Sequence, residues 1–239
     1  MKYILCKFIF FVIFLFFNSQ VAVALVCNEN VCRGFDVPQK VRDAISDGHE
    51  IISLKTYFGH EYFAATTRSD VNACSYLFPI DLNGISSVPV ADINKPLCNL
   101  KKMGNEILSS WRDAGYWNNS IYQVSSDGEW RLLLTDTCIG CEQVIRKEYV
   151  DNKESVFLVS DNDDFRKRTK LKGIVLKDKA YIYAKADGGY GTNAYLIKND
   201  TFTLKEMSID GLFYKVSFFS KSGGNKEYWI GSDDFDLLN

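Results

Sequence analysis

Residues 120–159 read SIYQVSSDGEWRLLLTDTCIGCEQVIRKEYVDNKESVFLV, and the reading of this stretch decides the fold. Its apolar residues fall into short runs, Ile121 to Val124, Trp130 to Leu134, Val144 to Val150 and Val156 to Val159. Between the runs stand Asp127-Gly128, the pair Cys138 and Cys141, and Asp151-Asn152, all of them turn chemistry. Short runs rich in β-branched and aromatic residues, joined by tight turns, predict an antiparallel meander.

Upstream of the meander the signals are mixed. Glu50 to Tyr57 and Glu61 to Thr67 flank Phe58-Gly59-His60, which predicts a hairpin with glycine in its turn. Asp36-Val37-Pro38 offers an N-cap with proline near the first helical position; Val41 and Ile45 follow at helical spacing, and Gly48 supplies a stop. Ile107, Leu108 and Trp111 suggest a second short helix over about residues 103–113. The expected class is therefore α+β: a disulfide-stapled antiparallel sheet with two short helices across residues 25–160.

Downstream, residues 161–170 are almost wholly polar and charged apart from Phe165, and read as a linker between domains. Residues 171–239 are strand-rich again, with turns at Lys198-Asn199-Asp200, Asp210-Gly211 and Ser222-Gly223-Gly224-Asn225, and predict a small all-β barrel.

The first residues point to a compartment. Lys2 and Lys7 precede an apolar run from Phe8 to Phe17, a polar break at Asn18-Ser19-Gln20, and Ala22-Val23-Ala24. This is the pattern of a cleaved secretory signal over 1–24, too short for the roughly 20 residues of a membrane span. Lipoprotein attachment at Cys27 is disfavoured because Leu25-Val26 supplies no small residue before the cysteine. Export to a periplasm follows as the expectation, with no membrane span after cleavage. Removal of the signal discards Cys6 and leaves Cys27, Cys32, Cys74, Cys98, Cys138 and Cys141, an even set that suits an oxidising compartment. Proximity in sequence suggests the pairs 27–32, 74–98 and 138–141. Cys138-Ile139-Gly140-Cys141 is also the spacing of a thiol-disulfide redox motif, but strands rather than a helix flank it, so a disulfide pinning a hairpin is the favoured reading.

Composition narrows function. The chain has 239 residues, 46% hydrophobic and 24% charged, an ordinary globular balance. Lys+Arg 28 against Asp+Glu 30 gives a net charge of -2; without Lys2 and Lys7 the mature balance is 26 − 30 = −4. A nucleic-acid partner is not expected.

In the tail, AYLIKNDTFTL, DGLFYKVSF and EYWIGSDDFDLL, following a strand with alternating aromatics and a Gly/Asn loop, resemble the bacterial SH3-like domain. The family's usual Gly-Trp is here Gly211-Leu212-Phe213, and its usual Gly before the final Trp-Ile is Tyr228. The resemblance implies an SH3-like barrel over 171–239. It also prompts a search for a cell-wall peptidase or amidase in 25–160, since such catalytic domains often accompany it.

That search finds little. A cysteine peptidase needs a free thiolate beside a histidine, and each mature cysteine has a plausible partner. His49 and His60 stand at opposite ends of one predicted strand, about 36 Å apart if extended, and read as exposed turn residues rather than metal ligands. No Gly-x-Ser-x-Gly, His-Glu-x-x-His or Walker-type loop is present, and Gly188-Gly189-Tyr190-Gly191 precedes a strand instead of a phosphate-binding helix. The expectation is a non-catalytic protein without cofactor or metal.

Binding is then the default. Tyr190, Tyr195, Tyr228 and Trp229 are expected to form an exposed aromatic patch for a protein partner. The favoured partner is a secreted antibacterial toxin that the protein neutralises; peptidoglycan is the alternative and redox exchange at Cys138–Cys141 the third reading. The basic residues Arg166, Lys167, Arg168, Lys170, Lys172, Lys177 and Lys179 read as a solubilising face at the domain junction, with an acidic partner or anionic polymer as the other reading.

Overall fold

A computed structural model describes residues 30–238 apart from positions 33, 68, 91–95, 142, 152 and 221–222. The expected signal peptide and Cys27–Cys32 pair lie outside what it describes; for Cys32 only the backbone is placed.

Strands β1 (Val31–Cys32) and β2 (Phe35–Asp36) form a small antiparallel ribbon. Helix α1 (Gln39–Ser46) follows. Its N-cap is Pro38, with no side-chain cap, rather than the expected Asp36; the Pro38 carbonyl accepts from the Val41 and Arg42 N–H groups. Gly48, at φ +83°, ends the helix as the sequence suggests.

Helix α1 packs on an antiparallel sheet of β3 (Glu50–Lys55), β4 (Glu61–Thr66), β5 (Cys74–Asp81) and β6 (Gly84–Ile85), with β7 (Leu97–Cys98) also paired to β5. Alternation along β4 explains its central place. Phe63 and Ala65 face the helix residues Val41 and Ala44, while Tyr62 and Ala64 turn the other way onto Leu77 and Leu97.

The meander is a sheet of six strands in chain order: β8 (Lys101–Met103), β9 (Glu106–Asp113), β10 (Tyr116–Val124), β11 (Trp130–Ile139), β12 (Gln143–Val150) and β13 (Lys153–Ser160). Here the expected second helix is corrected, because residues 103–113 form most of the β8–β9 hairpin. Ile107, Leu108 and Trp111 are too few to separate the two periods. Pairing decides: β9 runs in unbroken register with β10 from Glu106↔Gln123 to Asp113↔Tyr116, around a turn with Ala114 and Gly115 at positive φ. With 58% of the chain in strands and 9% helical, the protein is mostly β and not α+β with two helices.

The last sheet contains β14 (Lys172–Val175), β15 (Lys179–Tyr183), β16 (Gly191–Ile197), β17 (Thr201–Met207), β18 (Phe213–Phe219), β19 (Asn225–Gly231) and β20 (Phe235–Leu237). Its strand order is β16-β15-β19-β18-β17-β14-β20. The end strands β16 and β20 do not pair with each other, so it is a half-barrel rather than the closed barrel expected. Ala180, Ile182, Leu204, Val216 and Ile230 fill its inner side, and Leu158 of β13 joins the same cluster.

The charged stretch 161–170 is mostly exposed but is anchored at two buried residues, Phe165 and Arg168. Phe165 is buried, Val159 bridges to Lys170, and Leu171 donates its N–H to Leu158 while its carbonyl accepts from Leu204. This segment thereby joins the edge of the meander to β17.

Candidate functional site

The outer side of the half-barrel follows from strand alternation. Since Ala180, Ile182, Leu196 and Ile230 point into the core, Tyr181, Tyr183, Tyr195 and Trp229 must point away from it. Register then brings them together: Tyr181 stands opposite Tyr195, and Tyr183 opposite Trp229. The Tyr181 and Tyr195 rings meet edge to face at 6.2 Å, and Tyr183 meets Phe213 at 5.3 Å. Phe213 lies across from Gly231 at the end of the β18–β19 pairing. Lysines flank the face, with Lys179 Nζ 4.9 Å from the Tyr195 centroid and Lys185 Nζ 4.3 Å from that of Tyr190.

Of the residues singled out in the sequence, Tyr190 (48% exposed) and Tyr195 (43%) are accessible. Trp229 lies half-buried on the outer face beside Tyr183. Tyr228 does not join them: it stacks on Phe218 at 6.3 Å and packs against the core. Neighbouring positions on a strand face opposite sides, so Tyr228 and Trp229 cannot share one surface. Tyr181, Tyr183 and Phe213 complete the outer face instead. The first two were legible in the alternation of Lys179-Ala180-Tyr181-Ile182-Tyr183; Phe213 was not, because its contact with Tyr183 depends on the strand order β15-β19-β18.

Both described cysteine pairs are disulfides. Cys74 and Cys98 are direct partners across β5 and β7, and Ser109 Oγ fixes the Cys98 backbone by donating to its carbonyl and accepting from its N–H. Cys138–Cys141 closes the β11–β12 hairpin. Among the described residues strands rather than a helix flank it, and the Asp161 carboxylate accepts the Gly140 N–H at 3.1 Å, adding negative charge beside the turn. The arrangement is that of a pinned hairpin.

The histidines are half-buried and hydrogen-bonded, not exposed turn residues. His49 Nδ1 lies 3.0 Å from the Ala44 carbonyl oxygen. His60 Nε2 lies 3.0 Å from that of Ser126, its ring against Gly128, tying the hairpin sheet to the meander. Among the described residues no three or more His, Cys, Asp or Glu side chains converge to hold a metal ion, and no helix is long and apolar enough to cross a membrane.

Of the basic stretch, one residue is buried within the fold and three more are paired at its surface. Arg168 is buried against Asp136 at 2.6 Å, and Asp136 also takes a two-pronged bond from Arg146 with both contacts at 2.7 Å. Arg166 pairs with Glu106, Lys170 with Glu148 and Lys177 with Asp234. Lys167, Lys172 and Lys179 stay exposed beside them, as a solubilising face would. Compared with protein-family models, with curated proteins and with solved structures, the chain matches none.

Proposed function

We propose that this is a non-catalytic exported protein that holds a protein partner on the outer aromatic face of its half-barrel, and that the partner is a secreted antibacterial toxin which it neutralises. The observation that carries the reading is the ring-to-ring alignment of Tyr181, Tyr195, Tyr183, Phe213 and Trp229 across adjacent strands. Rigid aromatic area at low entropic cost is what interface hot spots use. The two disulfides suit an oxidising compartment, and a mature charge of −4 suits a basic partner. The SH3-like reading of the tail belongs to the same proposal and rests on the turns and strands quoted from the sequence. A glycan stacked on the same rings is the second reading, favoured by the exposed tyrosine faces.

The experiment is calorimetric titration of the mature protein with its co-purifying, identified partner, using wild type, Tyr181→Ala and Tyr195→Ala. Each substitution is expected to weaken binding by about 1–2 kcal/mol with stability changed by less than about 0.5 kcal/mol. Unchanged affinity in both variants would remove the aromatic face from the site, and pelleting with isolated cell wall in place of a protein partner would favour the glycan reading.

A further inference from the structure

A cleft of about 460 Å³ on the meander shares no residue with the aromatic face. Its base follows from register: Ser110 stands opposite Asn119 and Asn119 opposite Asp136, while in a neighbouring row Trp117 stands between Arg112 and Ile139. Trp117 and Asn119 are two apart in β10 and therefore share a face. Two passing segments complete the cleft, one with Asp70 and the other with Asp163 and Arg168. Asn72 bonds both the N–H and the carbonyl of Arg112, which fixes the first segment beside β9, and the Arg168–Asp136 pair fixes the second to β11. The cleft is thus built before any ligand arrives.

Two buried side chains bring spare donors to it. Ser110 Oγ donates to Asn119 Oδ1 at 2.8 Å, and no described residue accepts from Asn119 Nδ2. Arg168 spends Nη1 on Asp136 and Nε on the Asn162 carbonyl, and no described residue accepts from its Nη2. Asn119 is 7% exposed and Arg168 5%, and buried polar groups are normally bonded. Among the described residues Gln143 Oε1 is the single buried side-chain polar atom with neither a partner nor solvent. The spare nitrogens of Asn119 and Arg168 therefore open onto the cleft that both residues line. Acceptors stand at its rim, where the exposed carboxylates of Asp70 and Asp163 form no ion pair among the described residues. Charge cancels across the site: the Asp136–Arg146–Arg168 triad carries one net positive charge and the exposed Lys101 another, against these two carboxylates. Neither an anion nor a cation is selected. Donors below and acceptors at the rim call for a neutral ligand whose polar groups both accept and donate, as hydroxyls do.

We propose that this cleft binds a neutral pyranose sugar. Its hydroxyl oxygens accept from Asn119 Nδ2 and Arg168 Nη2, further hydroxyls donate to Asp70 and Asp163, and the C–H face of the ring lies on the Trp117 indole, which is 39% exposed. The site does not depend on the protein partner proposed above.

The test follows the Trp117 indole N–H and the Asn119 side-chain amide by NMR as two neutral disaccharides, cellobiose and N,N′-diacetylchitobiose, are added to the protein. Saturable shifts of both signals are expected with at least one of them. N-acetylglycine N-methylamide, which donates and accepts but has no ring face, should bind more weakly than the tighter sugar by about fivefold or more. Read at Asn119, Trp117→Ala should lower sugar affinity by about fivefold or more and Asp163→Ala by about threefold. Both positions are exposed, and an unchanged thermal transition checks the fold of each variant. No saturable shift with either sugar, unchanged affinity in either variant, or equal affinity for the amide probe overturns the site. Shifts confined to the Tyr181 and Tyr195 rings would put the sugar on the outer face and overturn the cleft.

Discussion

Arg168 reaches back across 32 positions of sequence to place its Nη1 2.6 Å from Oδ2 of Asp136, with both side chains sealed from solvent. Arg146, directly opposite Asp136 in the sheet, holds the same carboxylate from β12. Two further guanidinium bonds go to backbone: Arg146 Nη2 also donates to the Phe165 carbonyl and Arg168 Nε to that of Asn162. One buried carboxylate therefore fastens the segment between the sheets.

Asp136→Asn leaves both arginines buried without their counter-charge. The expected loss is about 3–5 kcal/mol of unfolding free energy, the range for breaking a buried pair from one side. Urea unfolding of the two proteins measures it, and a loss below about 1 kcal/mol would show that the triad is not what holds this segment.

Tyr62 gives an alkaline signature. Burial raises its phenol pKa above the usual 10.0, against a smaller lowering by its bond to Trp130. The folded state keeps the proton where the unfolded chain has lost it, so this contribution is present below about pH 10 and is lost as pH rises toward the folded value. Lys205, lowered chiefly by desolvation, works in the opposite direction, with stability rising as pH climbs toward 10.5. Comparing wild type with Tyr62→Phe cancels Lys205. The variant should lose about 1 kcal/mol at neutral pH, because Trp130 Nε1 loses its acceptor, and should show a shallower decline in urea midpoint between about pH 9 and pH 11. Parallel pH profiles would rule out Tyr62 as the titrating group.

The disulfides should contribute unequally. Cys74–Cys98 spans a separation of 24 residues, for which loop closure predicts about 3 kcal/mol, whereas Cys138–Cys141 spans 3 and is worth about half as much. Denaturant midpoints of the two double-serine variants check the order. An equal or reversed order would mean that the unfolded chain is not the state these bonds constrain.

Gly173 lies in β14 where a Cβ would come within 2.3 Å of the Phe202 ring and 2.9 Å of Phe235. Gly173→Ala must displace two packed aromatic rings, at an expected cost of about 1–3 kcal/mol. A denaturant midpoint unchanged from wild type would show that the rings can yield.

How much was legible depended on the range over which each signal acts. Asp127-Gly128, with Gly128 at φ +88°, and the Cys138–Cys141 turn specify their hairpins through the preferences of a few adjacent residues, so the meander from 120 onward could be read directly. The β3–β4 hairpin, α1 with its stop at Gly48, and the Cys74–Cys98 staple were legible for the same reason. Residues 103–113 were not, since Ile107, Leu108 and Trp111 satisfy a helix as well as a strand and only hydrogen bonding to β10 separates the two. Nor could sequence tell that Arg168, within a charged and mostly exposed segment, is buried, because the carboxylate that neutralises it enters from a strand 32 residues earlier. The surfaces show the same division. Alternation already placed Tyr181 and Tyr183 on one side of their strand, but the strand order β16-β15-β19-β18 aligned them with Tyr195, Trp229 and Phe213. Local backbone preference acts between neighbours in the chain, whereas burial and charge pairing act between neighbours in space, and only the folded chain determines which residues those are.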